Sequence, residues 1–157
     1  MADTVTKYQD YPFAGFSFSI SFTWPNLLGK ENEGNFQEVS GLNIKLETES
    51  IKEGGENRFS HRFPLPPKYE NLVLRRGMFR YADSGIAQWA QKSFSTFEFT
   101  PKDINISLLD EKRNPLANWN VKRAYPVGVK VSDFKAQENA LVVETLELAF
   151  DYFERTQ

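Results

Sequence analysis

The chain has 157 residues, 40% of them apolar and 15% aromatic, which is enough for one sizeable core in a single domain spanning residues 1–157. It has no cysteine and one histidine, so a disulfide framework, a cysteine nucleophile, a thiolate metal site and a multi-histidine centre within one chain are excluded. Nineteen Lys and Arg against twenty-one Asp and Glu argue against nucleic-acid binding driven by total charge, and no apolar run approaches the roughly 18 residues of a membrane span.

Residues 1–13 are mostly polar, lack the pattern of a secretory signal, and carry Tyr8, Tyr11 and Phe13 toward their end. They read as an arm, flexible or ordered only against a neighbouring subunit. From Phe16 the pattern alternates: Phe16, Phe18, Ile20, Phe22 and Trp24 face one way and Ser17, Ser19, Ser21 and Thr23 the other, which predicts a strand. Pro25 closes it, and residues 29–35 have the composition of an exposed loop. Leu42, Ile44 and Leu46 alternate with Asn43, Lys45 and Glu47 in a second strand that runs on toward Ile51. Beyond it the chain is polar on both faces and reaches Gly54-Gly55, the expected turn of an extended β-hairpin whose return strand covers residues 58–63.

Pro64, Pro66 and Pro67 lack backbone donors and belong on an edge or in a connector. A short strand over 69–74 follows, ended by Arg75-Arg76-Gly77. The period then changes to three-and-four at Ile86, Trp89, Ala90, Ser93 and Phe94, predicting one amphipathic helix capped by Asp83 or Ser84. Ile104, Ile106 and Leu108 mark another strand, and residues 110–115 a polar turn. Leu116, Trp119 and Val121 begin the return strand, Tyr125-Pro126 interrupts pairing, and Val127, Val129 and Val131 resume alternation. The last element, residues 141–150, places Val142, Leu146, Leu148 and Phe150 on one side, with Glu144 breaking the apolar series. Six to eight strands and one helix, with no internal repeat, predict a mainly β fold: a small antiparallel β-barrel or sandwich with one flanking α-helix.

Catalytic chemistry finds little support. His61 has no oriented partner in the sequence, and the spacing of Glu47, Glu49, Glu53 and Glu56 matches no metal site or glycosidase pair. Glu53-Gly54-Gly55-Glu56 lacks the Lys-Ser/Thr of a phosphate loop and reads as a turn. No cofactor and no metal are expected. Between residues 30 and 56 seven acids oppose three bases, and between 62 and 80 five bases oppose one acid. That separation suggests an acidic surface on one subunit meeting a basic one, including Arg75 and Arg76, on the next. The aromatic residues Tyr81, Trp89, Phe97, Phe99 and Trp119 divide between core and subunit contact, or line a sugar-binding groove.

Taken together, Phe36-Gln37-Glu38-Val39-Ser40-Gly41-Leu42, Glu53-Gly54-Gly55, residues 71–77, Trp89, residues 103–110, Trp119-Asn120-Val121, Ala124-Tyr125-Pro126-Val127 and residues 144–149 resemble the inner tube proteins of contractile phage tails. The branch they are most similar to is that of extracellular contractile injection particles, and the likeness covers about residues 11–150. Where the family usually has Leu-Pro-Gly, this chain has Leu65-Pro66-Pro67. The resemblance implies a structural protein and not an enzyme: a tail-tube or Hcp-like barrel subunit, closed into hexameric rings that stack into a hollow tube inside a contractile sheath. The implied partners are further copies of itself, the sheath, spike or baseplate and terminator proteins, and protein cargo, or DNA in a phage. Assembly would occur in the cytoplasm, ahead of incorporation into a released particle or virion tail. By the same likeness Lys45, Glu47 and Glu49 are expected to face the lumen, and Arg75, Arg76, Tyr8 and Tyr11 to sit at contacts between rings or subunits. A monomeric carbohydrate-binding β-sandwich is the alternative reading.

Overall fold

The computed structural model describes residues 17–23, 36–55, 58–137 and 140–156. The N-terminal arm with Tyr8 and Tyr11, Phe16, and the loop that begins with Trp24 lie outside them. In chain order the strands are β1 (Phe18–Phe22), β2 (Glu38–Ser40), β3 (Ile44–Lys45), β4 (Thr48–Ile51), β5 (His61–Pro64), β6 (Lys68–Tyr69) and β7 (Leu72–Gly77). After the helix α1 (Gly85–Thr96) come β8 (Lys102–Leu109), β9 (Pro115–Val131), β10 (Val143–Ala149) and β11 (Tyr152–Arg155).

The main sheet runs β1-β8-β9-β10-β7-β2, with β11 beside β9, and every pairing is antiparallel. The long strand β9 serves two partners in succession. Its first part pairs β8 as far as Ala124 opposite Lys102, and its second part pairs β10 from Tyr125 to Val131. Between them β9 carries an extra residue opposite Asp103, with Arg123 at φ 55. Asp103 fills that bulge: its carboxylate accepts from the Arg123 backbone N–H at 3.0 Å and from Lys122 Nζ at 2.9 Å, while its carbonyl accepts from Thr23 at 2.9 Å. A bulge bends the strand and raises its twist, which turns one strand from one sheet layer into the next. The Arg123 N–H bond, then the Lys122 bond, hold the Asp103 carboxyl below the usual carboxylate range.

Period-two alternation fills the interior. Ile20, Ile104, Ile106, Val121 and Ala124 come from one part of the sheet and Leu72, Leu74, Leu146 and Leu148 from the other, with Ile86, Trp89 and Ala90 of the helix against them. The helix starts where the Ser84 side chain accepts from the Ala87 N–H at 3.1 Å, as an N-cap does. It is pinned at its middle by the Trp89 indole N–H, which donates to the Thr100 carbonyl at 3.0 Å.

Across this core runs one ion pair. Arg76 is 2% exposed; its Nε donates to Glu144 Oε2 at 3.1 Å, its Nη2 to Ser84 Oγ at 2.6 Å, and the Phe36 and Phe79 rings lie 5.4 and 5.2 Å from its Cζ. Glu144, the residue that breaks the apolar series of β10, stands directly opposite Arg76 in the β7–β10 register. Arg76 therefore ties the sheet to the helix cap from inside, and its expected place at a contact between copies is corrected to a core position.

The strands β2, β3 and β4 are pieces of one hairpin limb, and β5, β6 and β7 of the other. Ser40 faces Val73, Ile44 faces Tyr69, Lys45 faces Lys68, and after a one-residue slip Thr48 faces Pro64 and Ile51 faces His61. The limb breaks after β2 at Gly41, whose φ is +94 and where any side chain would collide with the Asn71 carbonyl. The hairpin turns at Gly54-Gly55, as expected. Several expectations change. Eleven strands replace six to eight among the described residues, because the hairpin is fragmented and β11 was not foreseen. The strand expected to end at Leu74 continues to Gly77, because Arg76 is buried opposite Glu144. Pro64 lies within β5, which belongs to a two-stranded arm where an unpaired edge tolerates it. The expected closed barrel is not found within the protomer: the described sheet path has two ends, β1 and β2.

Replacing Glu144 by Gln strands the buried guanidinium, and urea denaturation is expected to show a loss of about 3–5 kcal/mol, whereas Arg76→Leu with Glu144→Leu recovers most of it. For Asp103 the sign is that of a depressed acid: its contribution is complete above the ordinary carboxylate range and disappears as pH falls through its folded value. The thermal melt of wild type should exceed that of Asp103→Asn at pH 7, by a margin under about 1 kcal/mol because the pair is partly solvated, and the two should converge only as pH falls below the ordinary carboxylate range.

Candidate functional site

The face of β9-β10-β7-β2 turned away from the core is polar and open. Register sets its rows: Glu38, Arg75, Thr145 and Lys130 stand side by side across four strands, and Ser40, Val73, Glu147 and Gly128 form the next row. Arg75 Nη1 donates to Glu38 Oε2 at 3.0 Å, and Asn71 Nδ2 to Glu147 Oε1 at 2.7 Å. The surface dips into a concavity of about 490 Å³ whose walls include Glu38, Arg75, Lys130, Asp133 and Thr145. Val73 and Val143 lie among these acids, bases and hydroxyls, so the wall is mixed in character.

The hairpin arm extends this geometry. Tyr69 packs on the Phe150 and Phe153 rings at 5.7 and 5.4 Å, and Ile44 pairs with it. Lys45 and Lys68 are therefore turned to the opposite side, where Lys68 Nζ donates to Glu47 Oε2 at 2.9 Å. That bond, reinforced by the Lys68 charge, lowers the Glu47 pKa from its ordinary value. Glu49 follows on the arm opposite Phe63; Lys45 and Glu49 are exposed and Glu47 is half-buried at the expected hairpin. His61 contacts the Phe59 and Phe63 rings and lies 3.7 Å from Glu53, an exposed position with no second partner to make it a general base. Among the described residues no cluster of three His, Asp or Glu side chains could hold a metal, and no helix is long and apolar enough to cross a membrane.

The charge blocks expected to meet between subunits meet partly inside one hairpin. Residues 30–56 and 62–80 supply its opposite limbs, and Glu38–Arg75 and Glu47–Lys68 are cross-limb ion pairs. Sequence reasoning expected unpaired strand edges but did not say which strands carry them; in addition to the β1 end of the sheet path, they are on β2 and β9. Among the described residues nothing pairs with the outer side of β2, and β8 leaves its side of β9 at Ala124, so 125–131 have no strand there. Val127 and Val129 are exposed on this open strand, but their alternation in sequence marks a strand and not which of its sides is left unpaired.

The sequence matches the family described as T4-like virus tail tube protein gp19 over residues 14–154. The chain belongs to this tail tube family. A tail tube protein is a structural wall subunit and not an enzyme, which sets aside the sugar-binding alternative. Solved structures agree with the assignment. The tail tube chain described here is 26% identical, with a TM-score of 0.77, to a chain in the baseplate of the anti-feeding prophage, covering 92% of this chain and 95% of that one. It is 26% identical, TM-score 0.78, to a chain in the extended sheath-tube complex of an extracellular contractile injection system, with 94% and 93% covered. A chain in the sheath/tube terminator of such a system gives 25%, 0.78, and 95% and 99%. Comparison with curated proteins by sequence gave no match.

Arg75 and Arg76 are neighbours in sequence on opposite faces of β7. Arg75→Glu should shift the urea midpoint of the protomer little, since exposed pairs contribute about 0.2–1 kcal/mol. Arg76→Glu, which sets a buried carboxylate against the partly buried Glu144, should abolish the cooperative transition altogether.

Proposed function

We propose that this tail tube protein closes into a hexameric ring and that rings stack head to tail into the conduit of a contractile injection particle or phage tail. The observation that carries this reading is the four-stranded sheet β9-β10-β7-β2, open at both sides. Its strands alternate in direction, so β2 of one copy and β9 of the next are antiparallel when copies are set side by side. Unpaired edge donors and acceptors are satisfied by that addition, and repetition of a heterologous contact whose rotation closes makes a ring. The open sheet path of the described residues would be continued across copies.

The polar face with Glu38, Arg75, Thr145 and Lys130 would then line the bore, continued on the arm by Lys45, Glu47 and Glu49. Mixed charge and hydroxyls let a protein cargo pass without an apolar trap. Arg75, bonded to Glu38 on the edge strand, would lie where that bore face meets the next copy, and Tyr8 and Tyr11 of the N-terminal arm would belong to the contacts between copies or rings. The sheath, baseplate or spike, and terminator are the partners, because the similar chains come from structures named for the baseplate, the sheath-tube complex and the terminator. The protein would be assembled in the cytoplasm and become part of the released particle.

Negative-stain images of concentrated protein should show rings or tubes; a sample that stays monomeric at every concentration would refute the reading. The absence of native cysteine allows a placement test. Lys45→Cys, Glu47→Cys or Glu49→Cys in assembled tubes should react with a small maleimide and resist one carrying a bulky polymer, and ready coupling of the bulky reagent along the tube would put these residues outside the bore.

A further inference from the structure

We infer that the arm of one copy seats its aromatic face on a cluster of exposed rings, Phe97, Phe99 and Tyr125, at the opposite sheet edge of the next copy. The inference rests on the ring reading above and names the side chains that make its contact. Phe97 ends α1 in the left-handed region at φ 55 and is 82% exposed. Its ring meets Phe99 edge-on at 5.2 Å, and Phe99 meets Tyr125 edge-on at 5.7 Å. Glycine or asparagine is the usual occupant of that helix-ending conformation, and a bulky side chain there is strained. Within the protomer Phe97 thus accepts backbone strain and gains almost no burial. Something outside the protomer accounts for an aromatic residue at this position.

The arm offers the matching surface. Phe59, His61 and Phe63 form a ring file, with centroids 5.2 and 6.4 Å apart, and Ile51 stands opposite His61. Phe59 and Phe63 are 56% and 51% exposed. Ser50 faces the other way and bonds Ser60 Oγ at 2.8 Å, so the aromatic side, which Glu49 shares opposite Phe63 where the arm borders the bore, is distinct from a polar side with Ser50, Ser60 and Arg62. A paired aromatic contact adds to the apolar area it buries, which suits rings exposed on both partners.

Placement selects the occupant. Leu72 faces Leu148, Leu148 faces Pro126, and Ala149 faces Tyr125. The arm leaves the sheet from the Leu72 end of β7, so arm and ring cluster lie at the same end of β9-β10-β7-β2 but on opposite lateral edges. The arm belongs to the β2 side and the cluster to the β9 side, where β8 stops at Ala124. A second copy set beside the first therefore brings an arm to a cluster along the same seam that joins β2 to β9. Back-to-back pairing of two β2 edges would leave every Phe97 cluster uncovered.

Both patches are exposed, so their substitution should leave the protomer folded. Phe97→Asp and Phe63→Asp are expected to keep the wild-type monomer melt and raise the concentration needed for rings at least tenfold. Phe97→Gly separates the two roles of this position: relief of strain should raise the monomer melting temperature while ring formation weakens. Oxidised Phe97→Cys/Phe63→Cys should give a ladder of linked chains ending at the closed ring, where either single substitution gives nothing beyond a dimer. If wild type forms rings while both Asp variants form them equally well and the double cysteine gives no ladder, the contact is wrong and the tube reading stands. If wild type forms no ring at all, both fall.

Discussion

The fold depends on one bend in β9. A strand of seventeen residues in a flat sheet would present its partners on a single layer. Here an extra residue opposite Asp103, in a left-handed backbone at Arg123, re-aims the strand so that its two parts serve β8 and β10 in turn. Asp103 supplies what the bulge takes away: its carboxylate satisfies the Arg123 N–H that the ladder no longer uses, and its backbone carbonyl receives the end of β1. A second irregularity, between Glu147 and Leu148, absorbs Val127 and lets Pro126 sit opposite Leu148 without a donor. These two irregularities bring the β10-β7-β2 half around a core shared with β1 and β8.

That core is closed by a charge where apolar packing would be stronger. Arg76 and Glu144 sit opposite one another on β7 and β10, and the same guanidinium bonds the hydroxyl that caps α1. Burial of an ion pair is poor as a source of stability, since desolvation offsets much of the attraction. Its geometry has another consequence: a one-residue slip of β7 against β10 would turn Leu72, Leu74 and Arg76 to the outer face and take Arg76 away from Ser84, so register and helix placement are selected together. For a subunit whose outward rows must stay aligned from copy to copy, that selection matters more than the energy of the pair.

Much of this was legible in the residues. Alternation at Phe18, Ile20 and Phe22, the three-and-four spacing from Ile86, and the Gly54-Gly55 turn each follow from one local rule, and the structure has a strand, a helix and a turn there. Glu144 was legible as an anomaly in an apolar series but not as a partner, because its meaning lies in residue 76, far away in sequence and opposite it in the sheet. The charge blocks misled for the same reason: composition shows two segments of opposite sign, and only pairing shows that they are the two limbs of one hairpin. The fragmentation of that hairpin rests on Gly41, whose positive φ no periodicity argument registers. Of the candidate site, the arm with Lys45, Glu47 and Glu49 could be read from its polarity; the free edge of β9 could not, since an edge is defined by the strand that is missing.

The same features set a balance that an assembling subunit has to keep. An open sheet invites any strand, and natural sheets usually guard their edges with charge, proline or short length. β2 is three residues long and carries Glu38, and β9 carries Lys130 and Pro126 along its open part. Guards of unlike sign on the two edges disfavour β2 against β2 and β9 against β9, where like charges would face each other, and leave β2 against β9 as the permitted join. The exposed rings follow the same logic, with the arm at one edge and Phe97 at the other, so that neither patch is self-complementary. On the proposed ring, protection from indiscriminate pairing and direction of assembly would reside in the same residues, and a copy meeting its own kind in the wrong orientation would find neither a matching charge nor a matching aromatic surface.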